Sequence, residues 1–142
     1  MALENLYVAC AQGDVDKVQA LLQVPFVRSS QLSKHDAEKG WTPLIYAVIC
    51  GHAEVVRCLL LHGICPDDKS LAGEAPLHLA VDEGHRRSAQ LLLEHYADPN
   101  VRNDYGETPL HIAVARNDAG MVDLLLRFKA DPQARDSVVR FT

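Results

Sequence analysis

The chain carries seven histidines and four cysteines among its 142 residues. These are the side chains that most readily bind metals or transfer protons. Cys58 and His62 lie four residues apart, a spacing that places both on one face of a helix. The pair lacks the further ligands that a zinc site needs, and no C-x-x-C pair occurs. We therefore expect no bound metal and no cofactor.

His78 and Asp82 are also four residues apart, within reach of a mutual hydrogen bond on a helix. No serine or cysteine is placed to extend this pair into a catalytic triad. Asp82 and Glu83 are adjacent and point apart on a helix, so they make a poor acid–base pair. Neither a G-x-G-x-x-G nor a G-x-x-x-x-G-K segment is found. The sequence thus predicts no catalytic residues and a protein that is not an enzyme.

A motif that recurs at a fixed step along the chain must position these side chains. Its three copies are Gly40-Trp41-Thr42-Pro43-Leu44, Gly73-Glu74-Ala75-Pro76-Leu77 and Gly106-Glu107-Thr108-Pro109-Leu110. The copies begin 33 residues apart. A fixed period of this length predicts a stack of one supersecondary unit. Four of the histidines recur within it, which explains them as architecture: His52, His85, His78 and His111.

Each unit reads as two short helices. Thr-Pro is typical of a helix start, because threonine caps and proline lacks only an N–H that would be unpaired there. Gly51 and Gly84 stand where the first helix should end. Val55, Val56, Leu59 and Leu60 then recur at helical spacing.

The pattern G-x-T-P-L-H-x-A, followed by G-H, a leucine pair and G-A-D-x-N, resembles the ankyrin repeat. The resemblance implies an all-α fold: an ankyrin-repeat solenoid of stacked helix–turn–helix units joined by β-hairpin-like turns. We expect one domain over residues 1–142, with repeats at approximately 1–36, 37–69, 70–102 and 103–136. The first repeat, which includes Asn5 to Asp14, is divergent. Only Thr108 and His111 keep both polar residues of T-P-L-H, so the fourth turn should be the best ordered.

Two stretches depart from the period. Five extra residues fall between Gln23 and Lys39, where we expect a polar surface loop, a short helical turn or a finger that contacts a partner. We expect residues 137–142 to form a tail or a partial cap, in which Val138, Val139 and Phe141 fold back over the last helix. The alternative is that the sequence is a fragment of a longer array.

Composition limits the classes of partner. The formal net charge of −5 argues against nucleic acid. No apolar run approaches the roughly 20 residues that cross a membrane, and no signal peptide is expected. The cysteines suit reduced thiols, which favours the cytoplasm or nucleus. We expect a monomer, with a dimer through the C-terminal end as the alternative.

The resemblance implies a binding face on the concave side of the stack, made from turn tips and first helices. The predicted partner is a protein or peptide, basic where it meets the acidic residues, with an apolar or aromatic anchor. The alternative is that these charges only keep the surface soluble. The predicted partner-binding residues are Lys39, Trp41, Leu71, Glu74, Asp82, Glu83, Asp104, Tyr105, Glu107 and Arg116.

Asn100 occupies the turn position that asparaginyl hydroxylases favour in ankyrin repeats, so it is a candidate for hydroxylation; the alternative is an unmodified turn residue. The sequence as a whole predicts a protein–protein interaction module, an adaptor or scaffold. The alternative function is a small inhibitory ankyrin protein that blocks an enzyme or transcription factor, and no residue selects between the two.

Overall fold

The computed structural model describes residues 2–23 and 32–133, with side chains from Asn5 onward. Over these ranges the chain forms short helices in pairs. The helices are α1 (Ala2–Gln12), α2 (Val15–Leu22), α3 (Pro43–Ile49), α4 (Ala53–Leu61), α5 (Pro76–Asp82), α6 (Arg86–Glu94), α7 (Pro109–Ala115) and α8 (Ala119–Arg127).

The helix pairs stack in sequence order into a solenoid. Each odd-numbered helix packs on the even-numbered helix that follows it. The first helices of successive pairs also contact one another, α1 with α3, α3 with α5 and α5 with α7, and α4 lies between α2 and α6. No strand is present over residues 2–23 and 32–133. The predicted all-α solenoid is confirmed.

The cap residues explain where the first helices begin. The Thr42 hydroxyl accepts from the Ile45 N–H at 3.2 Å. At α7 the Thr108 hydroxyl accepts from the His111 N–H at 3.3 Å, while the His111 ring accepts from the Thr108 N–H at 2.9 Å. Ala75 keeps only the second of these bonds, to His78 at 3.1 Å. That the fourth turn is the best ordered stays a prediction.

Alanine at one position of every first helix sets how closely the helices approach. Ala47, Ala80 and Ala113 are all fully buried. Leucines of the second helices close the core from the other side: Leu59 and Leu92 are also fully buried, as is Leu125. The apolar surface of each pair is therefore shared with its neighbours, as a stack without a closed core requires.

In the second repeat, the link between the two helices needs glycine for two reasons. Gly51 has φ +76°, a left-handed conformation that other residues rarely adopt. A Cβ at this position would also lie 2.9 Å from the ring of His85. That ring is held there because its Nε2 donates to the Ile49 carbonyl at 3.1 Å. His52 makes the same bond to Ala11 at 2.9 Å, so each ring ties its repeat to the preceding one.

The turns that precede the first helices are narrow hairpins. The N–H of Ser70 donates to the Glu74 carbonyl at 2.8 Å, and that of Asn103 to the Glu107 carbonyl at 3.0 Å. In the second repeat the matching bond joins Asp36 to Trp41 at 2.9 Å and encloses one residue more. One of the five extra residues therefore lies in this hairpin.

Two expectations fall outside the described residues. The first concerns the stretch 23–39, of which residues 24–31 are not described. The second concerns the tail or partial cap at residues 137–142, which is not described either. No helix in the described part of the chain is long and apolar enough to cross a membrane.

Candidate partner-binding face

Two rows of side chains, each with one member in the second, third and fourth repeats, follow the hairpins and the first helices, where the sequence predicts the binding face. The first row stands at the base of each hairpin and comprises Trp41, Glu74 and Glu107. The second row lies one helical turn into each first helix and comprises Tyr46, Leu79 and Ile112. In the second repeat both rows are aromatic. In the third and fourth repeats the first row is acidic and the second row is apolar.

A groove of about 470 Å³ lies between the third and fourth repeats, and we call it the acidic groove. It brings together four of the predicted site residues: Glu74, Asp82, Glu107 and Arg116. Leu79, Ile112 and Ala115 contribute apolar surface, and Asn103 completes the lining.

Asn103 fixes the two glutamates. Its Nδ2 donates to Glu74 Oε1 and to Glu107 Oε1, each at 3.1 Å. Its Oδ1 accepts from the N–H groups of Tyr105 and Glu107, each at 2.9 Å. The amide is 7% exposed, so its orientation is set by these bonds. Two carboxylates from successive repeats are therefore held side by side.

The position of Glu74 is electrostatically unfavourable for its charged form. Partial burial raises the pKa of its carboxyl, and the charges of Glu107, Asp82 and Asp104 raise it further, while the Asn103 amide opposes the rise. A carboxylate with a raised pKa gains most from an added positive charge. A lysine or arginine suits the groove, since its stem would cover Leu79 and Ile112 while its head meets the carboxylates.

At the other end of the face, Tyr7, Trp41 and Tyr46 form an aromatic cluster. The rings of Trp41 and Tyr46 meet edge to face at 5.0 Å, and those of Tyr7 and Tyr46 are 5.6 Å apart. Lys39 Nζ lies 4.7 Å from the centre of the Trp41 ring. Trp41 therefore packs within this cluster and stays partly exposed.

Polar groups hold the cluster in place. The Tyr46 hydroxyl donates to the Asp36 carboxylate, and the Tyr7 hydroxyl donates to the Lys34 carbonyl at 2.6 Å. Burial raises the pKa of Tyr46, as does the bond to Asp36. Burial alone would raise the pKa of Asp36, but the Tyr46 hydroxyl and the N–H groups of Trp41, Lys39 and Gly40 lower it overall. A cleft of about 840 Å³ adjoins the cluster between α1 and residues 34–39.

The remaining predicted residues lie on the hairpin tips and at a helix end. Leu71 and Tyr105 are 72% and 65% exposed. Leu71 also packs on the backbone of Gly40, and Asp104 packs in the same way on Gly73. Glu83 is exposed just beyond α5 and, unlike Asp82, is not among the residues that line the acidic groove.

The hydrogen bond that the spacing allows between His78 and Asp82 is replaced by other bonds of the histidine ring. His78 is fully buried, its Nδ1 accepts from the Ala75 N–H at 3.1 Å, and its Nε2 donates to the Glu107 carbonyl at 2.8 Å. Both ring nitrogens are thus occupied, and the bond from Nε2 joins the third repeat to the fourth. For Cys58 and His62 the structure supplies no further metal ligands. Within the described ranges, no group of three or more histidine, cysteine, aspartate or glutamate side chains could hold a metal ion.

Asn100 forms a bridge between two repeats. Its Oδ1 accepts from the Asp131 N–H at 2.6 Å, and its Nδ2 donates to the Lys129 carbonyl at 3.4 Å. Asp67 occupies the same place one repeat earlier and accepts from the Asp98 N–H at 3.0 Å. Both atoms of the amide are therefore engaged in structure, and hydroxylation of Asn100 stays a prediction.

Comparison with known proteins identifies the repeats. NAD-capped RNA hydrolase NUDT12 from Homo sapiens, Pongo abelii and Macaca fascicularis is 33% identical to this chain over 71 residues. The match covers 50% of this chain and 14% of the length of the relative. Family models for ankyrin repeats match residues 6–103, as three copies, and residues 92–137. The chain belongs to the ankyrin repeat family.

Proposed function

We propose that this chain is a protein-binding module, an adaptor or scaffold, that holds a basic segment of a partner protein on its concave face. Ankyrin repeats in general bind protein partners. The observation that carries the proposal is the acidic groove, in which Asn103 holds Glu74 and Glu107 beside an apolar floor.

The partner would meet two different surfaces. A lysine or arginine side chain enters the acidic groove, where Glu74, Glu107 and Asp82 supply negative charge. An apolar or aromatic side chain packs against Trp41, Leu71 and Tyr105, since aromatic residues are frequent anchors of interfaces. The exposed carboxylates Glu83 and Asp104 speed encounter, an effect that salt weakens.

A binding role is proposed in preference to a catalytic one. The match to the hydrolase covers 14% of that protein, too little to transfer its activity. The histidines at the centre of the stack are used to join repeats, as His78 and His85 are. We further propose a monomer without nucleic-acid partners, located in the cytoplasm or nucleus, as the net charge of −5 and the free cysteines suggest.

The test is affinity capture from cell lysate with wild type and a Glu74→Gln/Glu107→Gln variant, followed by titration of the purified partner. Glutamine still accepts from Asn103, so the fold should persist while the charge is lost. We expect binding to weaken by at least about tenfold, roughly 1.4 kcal/mol. The matched control is Glu54→Gln/Glu94→Gln, which removes two exposed carboxylates from the second helices and should bind as wild type.

Two results would contradict the proposal. One is a captured partner that binds wild type and the groove variant equally at low salt. The other is a partner that loses binding in the control variant alone. A Trp41→Ala/Leu71→Ala/Tyr105→Ala variant, checked for folding by a thermal melt, tests the apolar anchor separately from the charge.

A further inference from the structure

A tyrosine stands in the third repeat at a position whose backbone favours glycine. Tyr96 has φ +70°, a left-handed conformation that is unfavourable for a bulky side chain. Gly63 occupies the equivalent position in the second repeat, with φ +91°. A Cβ on Gly63 would meet nothing within 4 Å, and the Tyr96 side chain is 92% exposed. Packing within the stack therefore does not account for a tyrosine here.

The exposure of this position does not depend on where the stack ends. Two repeats follow Gly63 and one follows Tyr96, yet neither position is covered by them. An unfavourable backbone conformation that packing does not repay is typical of residues with a functional role. Tyr96 is thus a candidate for contact with another molecule.

Tyr96 lines a groove of about 520 Å³ between the third and fourth repeats, and we call it the tyrosine groove. The end of α6 and the turn after it form one wall, and the end of α8 forms the other. The lining residues are Leu93, Glu94, Tyr96, Ala97, Asp98, Pro99, Arg127, Phe128 and Lys129. None of them lines the acidic groove, so the two grooves are separate surfaces.

Three of the four charged side chains in the tyrosine groove are bonded within their own repeats. These bonds join Glu94 to Gln90 at 3.2 Å, Asp98 to the Asn100 N–H at 2.9 Å, and Arg127 to Asp123 at 3.5 Å. The fourth is the exposed Lys129, whose ammonium has no ion-pair partner among the described residues. Its backbone is held in place, because its carbonyl accepts from Asn100 Nδ2 at 3.4 Å. The groove therefore presents one available cation beside apolar surface.

We propose that the tyrosine groove binds a protein segment in which an aromatic or aliphatic side chain stands next to an aspartate or glutamate. The apolar side chain packs on Tyr96 and Phe128, and the carboxylate meets the Lys129 ammonium. Tyrosine suits this role, because its ring offers a large contact area at a small loss of conformational freedom. Charges are screened beyond about 8 Å at physiological ionic strength, so these local groups, and not the net charge of −5, decide what the groove attracts.

This site makes no use of the acidic groove, so it stands independently of the basic partner proposed above. If both surfaces are occupied, the molecule joins two partners of opposite charge, which is the role of an adaptor.

The experiment is selection of a random peptide library, displayed on phage, on the full chain. Peptides that bind wild type but not Tyr96→Gly are then titrated as free peptides. We expect each of them to carry an aspartate or glutamate next to an apolar or aromatic residue. Lys129→Gln should weaken their binding by about fivefold. The matched control is Lys17→Gln, which removes an exposed lysine from α2 and should bind as wild type.

Two further variants separate this site from the fold and from the concave face. Tyr96→Gly should raise Tm by about 3 °C, because glycine relieves the left-handed strain, so its loss of binding cannot come from unfolding. Glu74→Gln/Glu107→Gln should bind the same peptides as wild type does. Peptides that this double variant fails to bind, but that Tyr96→Gly still binds, report on the acidic groove instead.

The proposal is overturned if no selected peptide depends on Tyr96, or if the peptides that do so lack a carboxylate. A Tyr96→Gly protein that melts below wild type would also overturn it, since the fold would then need the tyrosine. So would a dimer, seen by sedimentation, that Tyr96→Gly dissociates, since the occupant would then be a second copy of the chain.

Discussion

Ser88 carries a buried hydroxyl in the core of the third repeat. It is 1% exposed, and its Oγ is the one buried side-chain N or O atom among the described residues without a hydrogen-bond partner. The equivalent positions hold Val55 and Met121, both fully buried. Burial of an unpaired hydroxyl costs about 1–3 kcal/mol. We predict that Ser88→Ala raises the free energy of unfolding by about 1 kcal/mol, measured by urea denaturation.

Ser70 is the matched control for that substitution. It is 7% exposed, but its hydroxyl accepts from the Glu74 N–H at 3.3 Å. Ser70→Ala should therefore lower the free energy of unfolding. If both substitutions shift it in the same direction, the unpaired state of the Ser88 hydroxyl is not what distinguishes them.

His78 makes the stability of the stack depend on pH. Burial lowers the pKa of this histidine from its ordinary value of 6.5, so the unfolded chain binds the proton more tightly than the folded one. The contribution of the neutral His78 ring to the free energy of unfolding is complete above pH 6.5. It is lost as the pH falls through the lower pKa that the ring has in the folded chain. We predict a lower free energy of unfolding at pH 5 than at pH 7.5, with a smaller difference in His78→Gln.

An unchanged pH dependence in His78→Gln would assign the effect to other groups. The variant is expected to be less stable at both pH values, because it disturbs the bonds to Ala75 and Glu107. The informative quantity is therefore the difference between the two pH values, measured for each protein by urea denaturation.

Single residues also show where sequence reasoning stopped. Tyr46 was missed as a site residue, although it stands one repeat before Leu79 on the floor of the face. Aligning the repeats at the position of Leu79 and Ile112, beside the position of Trp41, Glu74 and Glu107, would have identified Tyr46. Tyr7 lies in the divergent first repeat, where no motif fixes its direction. Asn103 was missed because its role depends on two carboxylates from different repeats, which only the packed structure brings together.

At the scale of elements, the Asn100 bridge joins the turn after α6 to the turn after α8. We predict that Asn100→Ala lowers the free energy of unfolding by about 1 kcal/mol, because it removes the exposed hydrogen bond to the Asp131 N–H. Asn100→Asp should cost less, since the carboxylate of Asp67 makes the same bond one repeat earlier. Urea denaturation of the three proteins measures both effects.

Equal stability of Asn100→Ala and wild type would mean that water replaces the bridge at no cost. That result would also leave the side chain free to enter an enzyme, which favours the predicted hydroxylation. A large loss would mean that a hydroxylase must first open the bridge between the third and fourth repeats.

The helices themselves were predictable because their signals are local. Thr-Pro at their starts, glycine at their ends and the leucine pairs all fall within a single repeat. The fourth repeat shows how far substitution can go: Asn117 replaces the glycine at φ +56°, and Asp118 caps α8 by accepting from the Met121 N–H at 3.1 Å. The start of α5 was less predictable, because Ala75 stands at the cap position in place of threonine and His78 supplies the remaining cap bond.

At the scale of the whole molecule, we expect the charge of Glu74 in the acidic groove to oppose stability. Burial and neighbouring carboxylates raise the pKa of Glu74, so the folded chain binds its proton more tightly than the unfolded one. Stability therefore falls as the pH rises through the ordinary glutamate range, and the loss is complete above the raised value. We predict that Glu74→Gln raises Tm at pH 7 by about 2 °C, with no gain at pH 3.5.

The same variant should weaken capture of a basic partner, so a gain in Tm together with a loss of binding is the expected result. A Glu74→Gln protein that melts below wild type at pH 7 would contradict the electrostatic argument. Glu94→Gln, on the outer side of the stack, serves as the control and should leave Tm unchanged at both pH values.

The longer hairpin between Asp36 and Trp41 breaks the translational symmetry of the molecule. A partner that follows a perfectly periodic surface can slip by one repeat and find nearly the same contacts again. Here the first hairpin encloses one residue more than the next two, and Trp41 of the aromatic cluster stands at its base. A segment bound as proposed would lose this landmark if it shifted along the stack by one repeat, so the longer hairpin would fix the register of binding.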